Sequence, residues 1–251
     1  MADINIIREP LLMDDMVSGL CLCPDLSNPE AEKMDLMDLY RIWARIPNQT
    51  HSCNVAVADG STLYFDDTDA LLTFEKGIPV GVKTADCVPI LIYASDVECV
   101  GAVHAGWKGT LGGIVDNVMD ILDGAGADPS RLKVAFGPSI SKDVYEVDHD
   151  LAERFRTAGF REYVYYPSVN DEKPHIDLQG ANMERFLRRG VRRENVSLHS
   201  GCCFGTRNND GIPMYASHRR SGGAPARMLT SIMMLSESEM AFYRRLRNQD
   251  A

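Results

Sequence analysis

VPILIYASDVECVGAVHAGWKGTLGGIVDNVMDIL, residues 88–122, decides how the chain folds. Two short apolar runs, 88–93 and 98–103, are separated by turn-forming residues and read as strands buried on both faces. After them Ile114, Val118 and Ile121, with Val115, Met119 and Leu122, recur at three- and four-residue steps, which predicts an amphipathic helix over 114–122. Gly124 and Gly126 supply its stop. Between strand and helix stand a histidine, a tryptophan and a lysine among glycines, side chains that a mere connection does not need.

The rest of the chain extends this pattern. Residues 53–58, 79–83, 132–136 and 195–199 read as strands, and 225–235 reads as helix or strand. Helices are expected at about 148–158 and 178–189, and a further one from Pro29 to Arg45. Residues 1–30 give no clear period, and 236–251 read as a tail. With no repeat and no linker between 50 and 235, we expect a single domain over 1–251, of α+β or mixed α/β class, its sheets packed against helices.

Composition bounds the function. The net charge of −10 weighs against a nucleic-acid partner, and hydrophobic and charged fractions of 45% and 25% are those of a soluble globular protein. No run approaches a membrane span, and the acidic N-terminus lacks signal-peptide character, so a cytoplasmic location is expected. The seven cysteines are odd in number and irregular in spacing, with no C-x-x-C pair, which argues against a disulfide framework or a zinc finger.

Cys87, in TADC, precedes one strand of the quoted stretch, and His104 ends the next, so a hairpin brings them together. His51 opens the 53–58 strand, a third strand terminus. One cysteine and two histidines make a catalytic type of zinc set, with a fourth position left for water whose pKa falls towards ~7. Spacing alone leaves other readings open: a Cys87 nucleophile with His104 as base, or buried thiol and scaffold histidine. Asp86 either orients one of the histidines or caps a turn. Gly106, Trp107 and Lys108 form a turn whose N–H groups and ammonium suit an anion, with Trp107 either facing a ligand or filling the core. Arg219 and Arg220, beside a Gly-rich loop, are candidate substrate contacts. Tyr145 and Glu146 are either pocket or structural residues, and His218 is a candidate pocket residue; His149 and His175 read as exposed, and His199, Cys202 and Cys203 as packing.

The segments TDALLT (68–73), TADCVPILIY (84–93), GAVHAGWKGT (101–110), GPSISKDVYEV (137–147), DL-x-x-AN (177–182) and SHRRSGGAPARM (217–228) occur in this order. Together they resemble the YfiH family of laccase-domain proteins, long labelled multicopper polyphenol oxidases. The resemblance covers about residues 45 to 235. It implies a single-domain α/β fold and a zinc held by His51, Cys87 and His104, with copper disfavoured because multicopper chemistry needs more histidines than the six present. It also implies a small-molecule substrate: a purine nucleoside, phosphorolysed or deaminated, with a peptidoglycan-editing role, a Cys–His hydrolase and a polyphenol oxidase as alternatives. The chain departs from the family pattern at Lys108, where the family has arginine. GPSISKDVYEV lacks a cysteine before its tyrosine, and SGLCLCPDLSN (18–28) hardly resembles the family's N-terminal segments.

Overall fold

Each strand of the quoted hairpin is buried at seven consecutive positions, because both faces of their sheet are covered. In the computed structural model, which describes residues 5–13, 17–23, 44–166, 172–222 and 226–238, the elements run in the following order. They are β1 (Asn5–Met13), β2 (Val17–Cys23), β3 (Val55–Val57), β4 (Ala70–Thr73), β5 (Val80–Thr84), β6 (Val88–Ala94) and β7 (Cys99–Ala105). Then come α1 (Trp107–Gly112), α2 (Ile114–Gly124), β8 (Lys133–Phe136), α3 (His149–Phe155), β9 (Val164–Tyr165), β10 (His175–Ile176) and α4 (Leu178–Arg188). β11 (Val196–Leu198), α5 (His218–Ser221) and β12 (Met228–Met234) complete the chain.

A six-stranded sheet, ordered β11-β8-β6-β7-β4-β3, lies at the centre, and a four-stranded sheet, β1-β2-β12-β5, covers one of its faces. The period of two along each central strand sorts side chains between the two sides. Val88, Ile90, Ile92, Val103, Val134 and Phe136 face the helices, meeting Ile114, Val118, Leu122, Phe155 and Phe186. Leu91, Tyr93, Val100, Ala102 and Ala135 face the second sheet, meeting Leu12, Val17, Val80, Val82 and Ile232. The result is three layers, helices on one side of the central sheet and a smaller sheet on the other, an α+β fold.

Among the described strands, pairings are antiparallel except at the two edges of the central sheet, where β11 runs parallel to β8 and β3 parallel to β4. Within the hairpin Val88 pairs with Ala105 and Pro89 with His104, so the register carries Cys87 to the end where His104 lies.

Several expectations change in detail. The helix after β7 begins at Trp107, with only Gly106 between strand and helix, and is divided from α2 by Gly113 in the left-handed region at φ 84°, where a side chain would be strained. The 225–235 segment is a strand, β12, buried throughout between β2 and β5. The helix expected over 148–158 is α-helical to Phe155 and ends in wider turns around Gly159, φ 87°. β1, β2, β4, β9 and β10 were not foreseen. The helix expected from Pro29 to Arg45 lies almost wholly outside the described residues. Among the described residues no helix is long and apolar enough to cross a membrane.

Candidate metal centre

His51, Cys87 and His104 converge, each offering a ligand atom within 4.8 Å of the others. Three different devices bring them there. Cys87 sits in the tight turn between β5 and β6, after Asp86 at φ 82°. His104 lies one residue from the end of β7 and is buried. His51 is exposed, and it stands in a loop ahead of β3 rather than at the strand's start as the sequence suggested. The rings of His51 and His104 meet edge to face, with centroids 4.9 Å apart, and Cys87 Sγ is 3.8 Å from His51 Nε2.

The surroundings are shaped to this cluster. A Cβ on Gly106 would stand 3.0 Å from Cys87 Sγ and 3.1 Å from His51 Cδ2, so a side chain here would crowd both donors. His104 Nδ1 is 2.6 Å from the carboxylate of Asp69, which leaves Nε2 facing the cluster. One thiolate and two imidazoles, with solvent on the His51 side, form a donor set that suits a four-coordinate metal with an open position.

The charges of these side chains act strongly on one another. Burial alone would raise the Cys87 thiol, but His104 and then His51 outweigh it and bring it down to about 6. Burial would lower His104, yet Asp69 and Cys87 hold its imidazolium up to about 9. Burial likewise opposes ionisation of Asp69, and its hydrogen bonds with His104 and Ser52 overcome that, holding it at about 2. Burial pushes the Tyr145 phenol up, and the charge of Cys87 adds to the effect.

The other predicted residues divide into two groups. Asp86 makes the turn contact: its Oδ2 accepts the Arg219 backbone N–H at 2.6 Å, capping α5, while its Oδ1 is buried without a partner. Arg219 is exposed, with its guanidinium 5.6 Å from the Tyr145 ring centroid and a donor on the Glu146 carbonyl, so it stands at the rim with Tyr145. Arg220 is tied elsewhere, donating to the carbonyls of Cys203, Phe204 and Tyr215 at 2.5, 3.1 and 2.6 Å. That arrangement is scaffolding, because its N–H groups bind backbone. Trp107 packs against the helix-side core, with Lys108 Nζ 5.6 Å and Arg154 Cζ 5.0 Å from its ring centroid. Lys108 itself is exposed.

Three histidines outside the cluster bond backbone groups, and His218 is exposed. His149 and His175 bond the carbonyls of Glu172 and Lys142, and His199 accepts the Gly201 N–H. His175 is buried, against the expectation of exposure. Among the described residues the cluster at Cys87 is the one group of three metal-capable side chains. A cleft of about 540 Å³ lies behind the His51 loop, lined by Cys53, Asn54, Asp67, Asn117 and Ile121, and includes none of the three donors. Asp69 was missed as a site residue. It is the second residue of the quoted TDALLT segment and is wholly buried in the fold.

Residues 32–235 match the family model described as multi-copper polyphenol oxidoreductase laccase. The chain belongs to this laccase-domain family. Among relatives in it, a protein named adenosine deaminase RL5, from an unknown prokaryotic organism, is 36% identical over 211 residues, 79% of this chain and 76% of the relative. A Deinococcus radiodurans protein named purine nucleoside phosphorylase is 36% identical over 186 residues, 74% of this chain and 68% of the relative. Among solved structures, Bacillus licheniformis YfiH superposes with a TM-score of 0.75 at 21% identity, covering 88% of this chain and 93% of that one. A Neisseria meningitidis protein reaches 0.77 at 24% identity, covering 92% and 100%. These two likenesses bear on the fold and agree with the three layers described above.

Proposed function

We propose that this laccase-domain protein is a zinc-dependent enzyme of purine nucleosides, which splits adenosine or inosine with phosphate, deaminates adenosine, or does both. The observation that carries the proposal is the convergence of His51, Cys87 and His104 at a mouth where His51 is exposed. The names of the relatives, adenosine deaminase and purine nucleoside phosphorylase, support the substrate class. Held there, zinc would supply Lewis-acid polarisation of an oxygen ligand at neutral pH.

The chain's own residues supply the rest. Cys87, His51 and His104 hold the metal, and the rim of Tyr145 and Arg219 offers an aromatic face and a cation to an incoming nucleoside. Lys108, exposed beside the Gly106 turn, adds positive charge for phosphate. In phosphorolysis a phosphate oxygen bonds to ribose C1′ as the bond to the purine nitrogen breaks, leaving ribose 1-phosphate and free base. In deamination, water replaces the amino group at purine C6 and ammonia leaves. The family label suggests a multicopper oxidase, but His149, His175 and His199 are each engaged singly with backbone groups, which does not support several copper sites.

A second reading has a specific observation in its favour. Cys87 beside protonated His104 has the thiolate–imidazolium form of a cysteine nucleophile. The two readings part at His51, which that mechanism does not require.

The proposal is tested by metal analysis of protein prepared without chelator or added metal, with a panel of nucleosides assayed with and without phosphate. One zinc per chain and phosphate-dependent release of base, or release of ammonia from adenosine, is expected. Stoichiometric copper with phenol oxidation instead overturns it. Within the phosphorolytic reaction, Lys108→Ala should raise KM for phosphate by about fivefold, the scale of one exposed charge contact, and leave deamination unchanged.

A further inference from the structure

One buried carboxylate reaches both histidines. Asp69 lies just ahead of β4 with no exposed surface. Its Oδ1 accepts from His104 Nδ1 at 2.6 Å and from the His51 backbone N–H at 3.1 Å. Its Oδ2 accepts the backbone N–H groups of Thr50 at 3.1 Å and Ser52 at 2.7 Å, and the Ser52 hydroxyl at 2.8 Å. Three successive N–H groups turned onto one anion form a nest, a backbone arrangement that requires a left-handed residue. His51 is that residue, at φ 63°, a conformation uncommon for any side chain but glycine. The strain at His51 thus has a cause: it aims the loop's donors at Asp69 and holds the His51 ring over Cys87.

We infer that Asp69 is a positioning residue that fixes the tautomer of His104 and the pose of His51 together, and so sets the affinity of the metal site; the inference rests on the zinc reading above. An ionised carboxylate can only accept hydrogen bonds. With metal bound, His104 therefore carries its single proton on Nδ1 and gives the Nε2 lone pair to the metal. Asparagine at this position has one accepting oxygen and one donating NH2. With the oxygen turned to the Thr50 and Ser52 N–H groups, the NH2 meets His104 Nδ1 and drives the ring proton to Nε2, the nitrogen that must bind metal. With the oxygen turned to Nδ1, the NH2 opposes two backbone donors and the loop releases His51. Either orientation disables one ligand, although no ligand has been mutated.

The test compares zinc affinity, by competition with a chromophoric chelator, in wild type, Asp69→Asn and Ser52→Ala. Asp69→Asn is expected to bind zinc some 10- to 100-fold more weakly, the range for a lost partner of a ligating histidine. Ser52→Ala deletes one donor but leaves the carboxylate, and its affinity should stay near wild type. A residue that only stabilised the fold would lower the melting temperature without this split. If Asp69→Asn does not fold, zinc-loaded wild type still decides the matter: two-bond ¹H–¹⁵N correlations should show His104 protonated at Nδ1 and ligating through Nε2. Equal zinc affinity in Asp69→Asn and wild type, or zinc on Nδ1 of His104, overturns the inference and leaves the zinc reading intact. Failure of wild type to take up zinc at all overturns both.

Discussion

Cys87 lies between two imidazoles at the open end of the central hairpin, whereas Cys21, Cys23 and Cys203 lie in an apolar pocket with Tyr215, Ala216 and Met228. The same side chain is driven in opposite directions. In the pocket, the hydrogen bond between Cys21 and Cys23 and then burial push the Cys23 thiol far up, and burial does the same to Cys203. Cys99, buried at the start of β7, is raised to about 12. Burial acts on Cys87 as well, but two imidazoles reverse its effect and bring the thiol to about 6. What separates a reactive or ligating cysteine from a packing one is the set of groups that answer its charge, and exposure alone does not make the distinction.

The contrast can be broken most sharply by alkylation. In metal-free protein near neutral pH, Cys87 should react with iodoacetamide on the order of 100-fold faster than Cys21, Cys23, Cys99 or Cys203, as read by mass spectrometry of labelled peptides. Added zinc should remove that difference by occupying the thiolate. Labelling of Cys23 as fast as Cys87 would mean that the two environments do not differ. Gly106→Ala sharpens the site half of the comparison, since its methyl would meet Cys87 Sγ and His51 Cδ2. It should weaken zinc binding by roughly tenfold with little loss of fold. Cys203→Ala sharpens the other half: it should cost about 1–2 kcal/mol of stability through a small cavity and leave zinc content unchanged.

The parts of the fold that could be read in advance are those whose burial is written locally. β6 and β7 are covered on both faces, so their runs are uninterruptedly apolar, and α2 shows its stripe because one face meets the sheet. The second sheet could not be read this way. It joins β2, β12 and β5 from distant parts of the chain, and the register of β1 against β2 shifts between Arg8 and Met13, which breaks the period of two. β4 spans four residues behind a run of acids and hydroxyls. In the site, the hairpin made Cys87 and His104 legible as a pair. His51 was legible as a candidate but misplaced at a strand end, because the loop that holds it depends on a carboxylate later in sequence. Asp69 was invisible for the same reason: an acid before a short strand resembles a turn residue until its five donors are seen. Arg220 looked available because its acceptors are carbonyls, which leave no mark in a sequence.

The central claim, that three side chains form a metal centre and not a cysteine–histidine pair, is tested most directly at His51. Cys87→Ala does not discriminate, since both mechanisms need the thiolate. His51→Ala removes one of three protein ligands and leaves Cys87 and His104 in contact. Zinc content and nucleoside turnover should fall together in that variant, by more than about 100-fold in affinity, since a lost ligand costs more than a lost partner of one. Chelation of wild type should abolish turnover and zinc should restore it. Full turnover by His51→Ala without bound zinc would contradict the account.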